Sequence, residues 1–496
     1  MKHLSKSAVL WLLIAVLFLL CACQPTPERE FVVNKGDGAA EEKIQATDAG
    51  QATASVEQRF PDRWDAEPVE VLEGFSIAAH AEIITKADGL YPVYQVKRSS
   101  FTNEQATAYA DAILGKPERM CEDVTTKAEW ERAFRLYLDE VAAFEQWVAD
   151  GKPSGFDVDE ARFTPEMIEQ DSRWYMEQIE HAPDARDYAP VHDYSGVAEN
   201  QQRSFLLSDG TAANVSFYPE SLTISKTTSY SIVYDKSRYE DEKRRNVPEA
   251  AHWQPVTMDR KTAESMLSRE LERLNLTDFS IQSASEANLW TVRCLGTDIE
   301  CITTGWRFTL CRNLGGYPAS AVPYAPSQIL QYSASSEALV NRPLREETVT
   351  VLIDENGLQY FSYESPKEIT GIANPNVELL PFEEIQDRVL RALTVCFPLE
   401  QWRTQYVQDA QIPLEIYRML LTTCTVRVKN SEECYALPCW IVFFDGEDVP
   451  LLMHDGRDEQ AIRKALEQAR SDELLTHDVL ILNAIDGSIL HMEQGY

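Results

Sequence analysis

The segment TVTVLIDENGLQYFSYESP, residues 348–366, predicts the kind of fold that this chain adopts. Every second residue from Val349 to Ile353 is branched and apolar, which is typical of a strand with one buried face. Asn356-Gly357 is a residue pair that favours a two-residue hairpin turn, because both positions can adopt positive φ. The residues after the glycine return as a second strand. The segment therefore predicts an antiparallel hairpin.

Strand and helix patterns continue on both sides of this hairpin. Further strands are predicted near residues 75–79, 91–96, 203–207, 214–218, 222–225, 305–311, 425–429 and 434–444, with a last hairpin over 479–490. Amphipathic helices are predicted over 102–114, 127–149, 164–180, 263–274, 382–393 and 461–469. Because short strands with turn signals alternate with such helices, the predicted fold class is α+β, with antiparallel sheets and packed helices.

The chain begins with the features of a bacterial lipoprotein signal. Lys2 and Lys6 precede an unbroken apolar run of 13 residues, 8–20, which is too short to span a bilayer. The run ends in the sequence LCAC, which matches a lipobox. We therefore predict cleavage between Ala22 and Cys23 and attachment of a diacylglyceryl group to Cys23. A secretory peptide cleaved elsewhere, or an uncleaved anchor, is the alternative.

The composition divides the chain into five ranges. The stretch that follows the signal is small and polar and predicts a flexible tether, although it could also be a loop of the first domain. Removal of the signal leaves 474 residues, which is enough for two or three modules. The predicted ranges are a signal peptide (1–22), a tether (23–65), an N-terminal α+β or helical domain (66–200), a middle α+β domain (201–345) and a C-terminal α+β domain (346–496).

The charge excludes one class of partner. The chain has a formal net charge of −34, and the loss of Lys2 and Lys6 with the signal makes it −36. A protein this acidic repels phosphate backbones and anionic headgroups, so no nucleic-acid partner is expected. Acidic residues are dense from Asp139 to Glu180, where twelve acids face three bases. We interpret this stretch as the solvated face of helices rather than as an ion site.

The common local catalytic and metal-binding signatures are absent from the sequence. The eight histidines form no HExxH or HxH pair, and no GxSxG, SxxK or GxxxxGK motif occurs. A loop that starts with Asp157 and Asp159 has Arg162 and Ile168 where a calcium loop needs glycine and glutamate. We therefore predict no metal site and no cofactor. Carboxylate pairs for glycoside cleavage stay open, because 80 acidic residues supply many candidates.

Besides the acylated Cys23, eight cysteines remain in the mature chain. Outside the membrane they can form disulfides, but buried free thiols are as common in large domains. If the strands near 425–429 and 434–444 form a hairpin centred between Ser431 and Glu432, Cys424 and Cys439 lie opposite each other. Cys424 and Cys439 are therefore the candidate disulfide.

Several segments resemble known families of exported bacterial proteins. The order of LPFEEIQDRVLRAL, YALPCWIVFFDG and VLILNAIDGSIL resembles PepSY-like modules. Together with the lipobox, the segments YPVYQV, GWRFTLCRNLGGYPA, VLIDENGLQYFSYESPKEI and LLPFEEI resemble an uncharacterised family of lipoproteins from clostridial Gram-positive bacteria. Cys439 departs from this pattern, since an apolar residue is usual there. The resemblance implies a place on the outer face of the cytoplasmic membrane and assigns no activity.

Two functions are compatible with these sequence features. The favoured one is a noncatalytic binding or regulatory module that is held at the bilayer by the Cys23 lipid and recognises a protein or cell-envelope ligand. The alternative is an extracytoplasmic hydrolase of cell-envelope or peptide substrates whose catalytic residues converge only in three dimensions.

Overall fold

The chain has an α+β fold with two large, mostly antiparallel sheets and, among the described residues, five helices, which confirms the predicted fold class. Our structure is a computed structural model. It describes residues 57–72, 75–122, 124–149, 163–197, 199–227, 231–235, 253–293, 298–317, 347–396, 412–427, 434–445 and 478–490. The signal peptide, Cys23, most of the predicted tether and the predicted helix 461–469 lie outside these residues.

The helices begin close to the residues that the sequence predicts. They are α1 (Asn103–Leu114), α2 (Lys127–Ala149), α3 (Pro165–His181), α4 (Arg260–Arg273) and α5 (Phe382–Cys396). At the start of α1, the Gln105 amide donates to Thr102 Oγ1 at 3.2 Å, while the Thr102 amide donates to Gln105 Oε1 at 2.9 Å. This reciprocal capping box satisfies two backbone donors that a helix start leaves without partners.

Seventeen strands are described. They are β1 (Arg63–Leu72), β2 (Phe75–Ile84), β3 (Val93–Arg98), β4 (Pro117–Glu122), β5 (Ala189–Pro190), β6 (Gln201–Leu207), β7 (Ala212–Tyr218), β8 (Ser221–Ser225), β9 (Ser231–Asp235), β10 (Phe279–Arg293), β11 (Asp298–Arg312), β12 (Thr348–Asp354), β13 (Gly357–Glu364), β14 (Lys367–Asn374), β15 (Ile412–Arg427), β16 (Cys434–Phe444) and β17 (Asp478–Asn483).

The strands form two sheets, which we name sheet A and sheet B. Sheet A has the order β1-β2-β15-β16-β3-β14, and β17 also pairs with β16. Sheet B has the order β5-β4-β6-β7-β8-β13-β12-β11-β10-β9. Among these strands, all pairs are antiparallel except β2 with β15. The hairpin predicted over 348–366 is confirmed as β12 and β13. Asp354 pairs with Gly357, so the two turn residues are Glu355 and Asn356, one position before the predicted Asn356-Gly357.

The sheets do not follow the three predicted modules 66–200, 201–345 and 346–496. Sheet A takes its strands from residues 63–98 and 367–483, so sheet B is inserted between the two halves of sheet A. Both predicted module boundaries, at 200 and at 345, fall inside sheet B. The cause is the pairing of β2 with β15, which are distant in sequence, whereas local patterns report only on neighbouring strands.

The fold also starts before residue 65, where we predicted the tether to end. The Gln58 side chain donates to the Val377 carbonyl at 2.9 Å and accepts from the Leu379 amide at 2.8 Å. The Phe60 ring meets Trp440 edge to face at 5.2 Å between ring centroids. Residues 57–65 therefore belong to the fold, because their side chains are held by the other end of the chain.

Each sheet has its own core. In sheet A every residue of β16 is buried, and α5 packs on this sheet through Ile385 and Val389. In sheet B the residues of the main core occupy one face, to which α1 and α4 contribute Ala110 and Leu267, while a smaller buried cluster of Val233, Ala287, Leu289 and Leu352 lies on the other face. Sheet B therefore has one face that points away from its core.

Candidate functional site

Helices α2 and α3 form a helical hairpin with a small core of its own. Trp130 near the start of α2 meets Trp174 in the second half of α3 at 5.3 Å between ring centroids. Phe144 in the last third of α2 stacks on Phe163, just before α3, at 4.7 Å. The two helices therefore run antiparallel. The fully buried side chains of this core are Ala133, Tyr137, Val141 and Tyr175.

An ion pair links the start of α2 to the segment that follows α3. Arg186, which follows α3, donates through Nη2 to both carboxylate oxygens of Glu129 at 3.0 Å, and both side chains are only 15% exposed. The Thr126 amide donates to the same carboxylate at 2.8 Å. Burial acts to raise the pKa of Glu129, but the hydrogen bonds from Thr126 and the charge of Arg186 outweigh it and lower the pKa. Glu129 is therefore ionised and fixes the start of α2.

Large apolar side chains are exposed on the surface of the helical hairpin. Met176 is 60% exposed and Trp174 is 37% exposed. Leu138 and Val148, which the helical periodicity predicts to be buried, are also exposed, because a two-helix hairpin covers only one side of each helix. The exposed set is Leu138, Val148, Met167, Trp174 and Met176.

Acidic side chains surround these apolar residues. Helices α2 and α3 carry ten acidic and four basic side chains, a formal net charge of −6 with histidine neutral. The predicted solvated acidic face between Asp139 and Glu180 thus lies largely on these helices. Exposed tryptophan and methionine beside acids suit a partner with apolar and basic groups, since both contacts then contribute. The sequence predicts the helices and their charge, but it does not show which apolar residues are exposed.

The candidate disulfide is the second feature that the sequence indicates. Cys424 lies on β15 opposite Leu437, and Cys439 lies on β16 opposite Thr422, so the strand register differs by two residues from the predicted one. Both cysteines are buried in the thiol form, and the predicted disulfide between them is wrong. Since β16 is buried on both faces, its side-chain pattern does not specify a register. Ala22 and Cys23 lie outside the described residues.

Titratable groups do not gather into a metal site in the described part of the chain. There, no three His, Cys, Asp or Glu side chains are arranged to hold a metal ion. His80 Nδ1 lies 3.4 Å from Glu415 on the exposed side of sheet A.

None of the helices in the described ranges is long and apolar enough to cross a membrane.

A buried ion pair that no sequence pattern indicates lies where sheet B leads into sheet A. Glu347, only 3% exposed, accepts two hydrogen bonds from the Arg312 guanidinium and a third from the Tyr363 hydroxyl at 2.7 Å. It also accepts from the backbone amide of Lys367, the first residue of β14, at 3.0 Å. Burial and the adjacent carboxylate raise the pKa of Tyr363 far above its usual value, so its hydroxyl stays protonated and donates. We interpret the Arg312–Glu347 ion pair as a structural contact between the end of sheet B and the start of β14, because these contacts of Glu347 are all internal to the fold.

Comparisons with known proteins add one structural likeness. No protein-family model matches the chain, and no curated protein is significantly similar to it. Among solved structures, the chain is similar to an uncharacterised protein from Eubacterium rectale, known from a crystal structure at 1.45 Å resolution. The two are 12% identical, the alignment covers 87% of this chain and 94% of the other, and the TM-score is 0.43.

Proposed function

We propose that this chain is a lipid-anchored, noncatalytic binding module on the outer face of the bacterial cytoplasmic membrane. Its ligand is a basic amphipathic segment of an extracytoplasmic protein, which binds to the helical hairpin. The observation that carries the proposal is the set of exposed apolar side chains, Trp174 and Met176 among them, within a surface of net charge −6. The lipobox at Cys23 and the resemblance to clostridial lipoproteins support the location.

The exposed apolar residues supply the binding energy in this proposal. Met176 is the most exposed of these residues, and a methionine adapts its shape to a partner, whereas Trp174 also packs on Trp130 within the hairpin. Met176 and Trp174 are two residues apart on α3 and lie on different flanks of the helix, so an amphipathic helix or extended segment packs its apolar residues on the flank of Met176. Its basic residues then face the carboxylates of α2 and α3.

Attachment to the membrane raises the effective concentration of this module. A flexible chain of the length that precedes residue 57 after cleavage at Cys23 has a typical reach of roughly 30 Å. A partner in the same membrane is then confined to the layer within this reach of the bilayer, so a modest affinity is sufficient for binding. Because the surface is acidic, association should weaken as salt is added.

Site-specific photocrosslinking in intact cells tests the proposal. A photoreactive phenylalanine analogue at position 176 should capture a protein, whereas the same analogue at Ile372, which is 61% exposed on β14, should not. The purified full-length chain should bind a peptide from the captured region, and this peptide should be basic. Met176→Ala should weaken that binding by roughly tenfold, as for a residue near the centre of an interface, while Ile372→Ala should not.

Three outcomes contradict the proposal. The first is capture at both positions alike, and the second is a peptide whose binding is unchanged by Met176→Ala. The third is hydrolysis of a peptidoglycan, ester or peptide substrate that disappears on replacement of a single Asp, Glu, His or Cys, because this result supports the hydrolase alternative. A Cys23→Ala variant should lose lipid labelling in the same cells, and unchanged labelling would contradict the anchor alone.

A further inference from the structure

A cysteine and a glutamine side chain meet where β10 pairs with β11. The Cys311 thiol donates to Gln282 Oε1, with 3.1 Å between sulfur and oxygen. Because a C=O bond is about 1.2 Å long, the amide carbon of Gln282 lies within about 4.3 Å of the sulfur. The two positions are 29 residues apart in sequence, so the strand pairing creates this contact.

A β-bulge places Gln282 beside Cys311. The register shifts between Ile281 and Ser283, so Gln282 is an extra residue of β10 that has no counterpart on β11. An extra residue of this kind interrupts the regular alternation and re-aims a side chain. Cys311 follows Leu310, which lies in the main core of sheet B, and therefore points to the opposite face. The bulge thus brings the Gln282 amide to the face on which Cys311 lies.

Two other thiols make a different kind of contact. Cys301 donates to the carbonyl of Thr303 at 3.7 Å, and Cys439 donates to the carbonyl of Leu437 at 3.2 Å. Both acceptors belong to the backbone of the same strand, where loss of the amide nitrogen would break the chain. A side-chain amide can instead lose its nitrogen as ammonia. The contact of Cys311 therefore permits a reaction that the other two do not.

We propose that Cys311 and Gln282 form an internal thioester. The sulfur attacks the amide carbon of Gln282, so that an S–C bond forms and the C–N bond of the amide breaks. The thiol proton leaves with the amide nitrogen as ammonia, and the reaction needs no oxidant or further reactant. A thiolate is a strong nucleophile, and the fold raises the effective concentration of the two groups by holding them in contact.

The partial burial of both side chains suits a thioester. Cys311 and Gln282 are each half-buried. Water hydrolyses a thioester, so limited contact with solvent prolongs its lifetime. The surface that stays accessible lets a small amine reach the carbonyl carbon.

The thioester makes this position a covalent binding site for a primary amine, the group that a lysine side chain carries. The amine nitrogen attacks the thioester carbon and forms an amide with the Gln282 side chain. The S–C bond breaks, and Cys311 leaves as a thiol with a proton from the amine. Each molecule can react once, so the result is attachment without turnover.

Peptide mapping of the full-length chain tests the thioester. The folded chain is digested with trypsin near neutral pH without added thiols or amines. Trypsin releases Gln282 in the peptide 274–293 and Cys311 in the peptide 308–312. The two peptides should be joined, with a mass lower by one ammonia molecule than the sum of their separate masses.

Methylamine serves as the amine probe. Treatment of the folded chain should separate the two peptides. The peptide 274–293 should then be heavier by one CH2 group than its sequence predicts, because methylamine takes the place of ammonia at Gln282. Cys311 should react with iodoacetamide after this treatment and not before it.

Two variants assign the reaction to this pair. Cys311→Ala should abolish both the loss of ammonia and the uptake of methylamine. The matched control is Cys301→Ala, which removes another half-buried thiol from β11 and should behave like the wild type. Circular dichroism should show that both variants are folded. If Cys311→Ala does not fold, Gln282→Glu takes its place, since it keeps the shape of the side chain and should also abolish both effects.

Two results overturn the assignment. One is a folded wild-type chain in which Cys311 reacts with iodoacetamide before amine treatment and Gln282 is unmodified. The other is methylamine uptake at Gln282 that persists in Cys311→Ala. A Met176→Ala variant should form the thioester normally, because the helical hairpin takes no part in it. Failure of one proposal therefore leaves the other intact.

Discussion

The central strand of sheet A and β7 of sheet B differ in how many of their residues are buried. The central strand of sheet A, β16, has the sequence CYALPCWIVFF and is buried at every position. In sheet B, β7 has the sequence AANVSFY, and its residues Ser216 and Tyr218 turn away from the core. A continuous apolar run is typical of a strand covered on both faces, and alternation is typical of a strand covered on one. The difference indicates that β16 is covered on both faces, whereas β7 is partly exposed on one face.

The two sheets also differ in how far their strands lie apart in sequence. In sheet B most pairs join strands that are neighbours in the chain, such as β6 with β7 and β12 with β13. In sheet A the partners β2 and β15 come from opposite ends of the chain. Closing such a long loop lowers the entropy of the chain before any contact forms. The burial of apolar side chains in sheet A offsets this loss.

The largest expected effect is in sheet A. Trp440→Ala should lower the free energy of unfolding by about 3–5 kcal/mol, because Trp440 is completely buried between Phe60 and Phe382. Tyr218→Ala in sheet B should cost no more than about 1 kcal/mol, since Tyr218 is 44% exposed. Urea unfolding followed by circular dichroism measures both. Equal losses would mean that burial in β16 does not distinguish the two sheets.

The second effect concerns the Arg312–Glu347 ion pair, which lies where sheet B leads into sheet A. Glu347→Gln should cost about 2–4 kcal/mol, because Arg312 then keeps its charge in a mostly buried position and loses a carboxylate partner. The same unfolding experiment on Arg312→Gln and on the double variant completes a double-mutant cycle. The double variant should cost clearly less than the two single variants combined. Additive losses would show that the two residues do not act as a pair.

The smallest effect is a change in the pH dependence of sheet A. Burial, reinforced by the charge of Asp88, raises the pKa of Tyr91 to about 12. As the pH rises, the unfolded chain loses this proton near pH 10, before the folded chain does. The contribution of Tyr91 is therefore complete below about pH 10 and is lost as the pH passes through 12.

In the wild type, the free energy of unfolding should fall as the pH rises above about 10, because Tyr91 loses its proton first in the unfolded chain. Tyr91→Phe should make this fall less steep, by the equivalent of about one proton. Tyr218→Phe is the control, because that ring is exposed and lies in sheet B. Urea unfolding between about pH 9 and about pH 11 measures the slope. If the two variants have the same slope, Tyr91 ionises as easily in the folded chain as in the unfolded one.

The candidate site is only partly predictable from the sequence. The amphipathic helix over 127–149 and its acidic surroundings follow from spacing and composition, and α2 has those bounds. The exposure of Leu138 and Val148 does not follow, because it depends on how much of each helix the partner helix covers.

The sequence by itself determined the elements whose contacts are local. The capping box of Thr102 with Gln105 and the hairpin of β12 with β13 depend on residues a few positions apart, so the pattern is sufficient to predict them, although the turn lies one residue earlier than Asn356-Gly357. Only the tertiary structure decided that β2 pairs with β15, that Cys424 faces Leu437, and that Arg312 meets Glu347. These contacts join distant segments, and their register is set by how whole faces pack, which no local window of the sequence records.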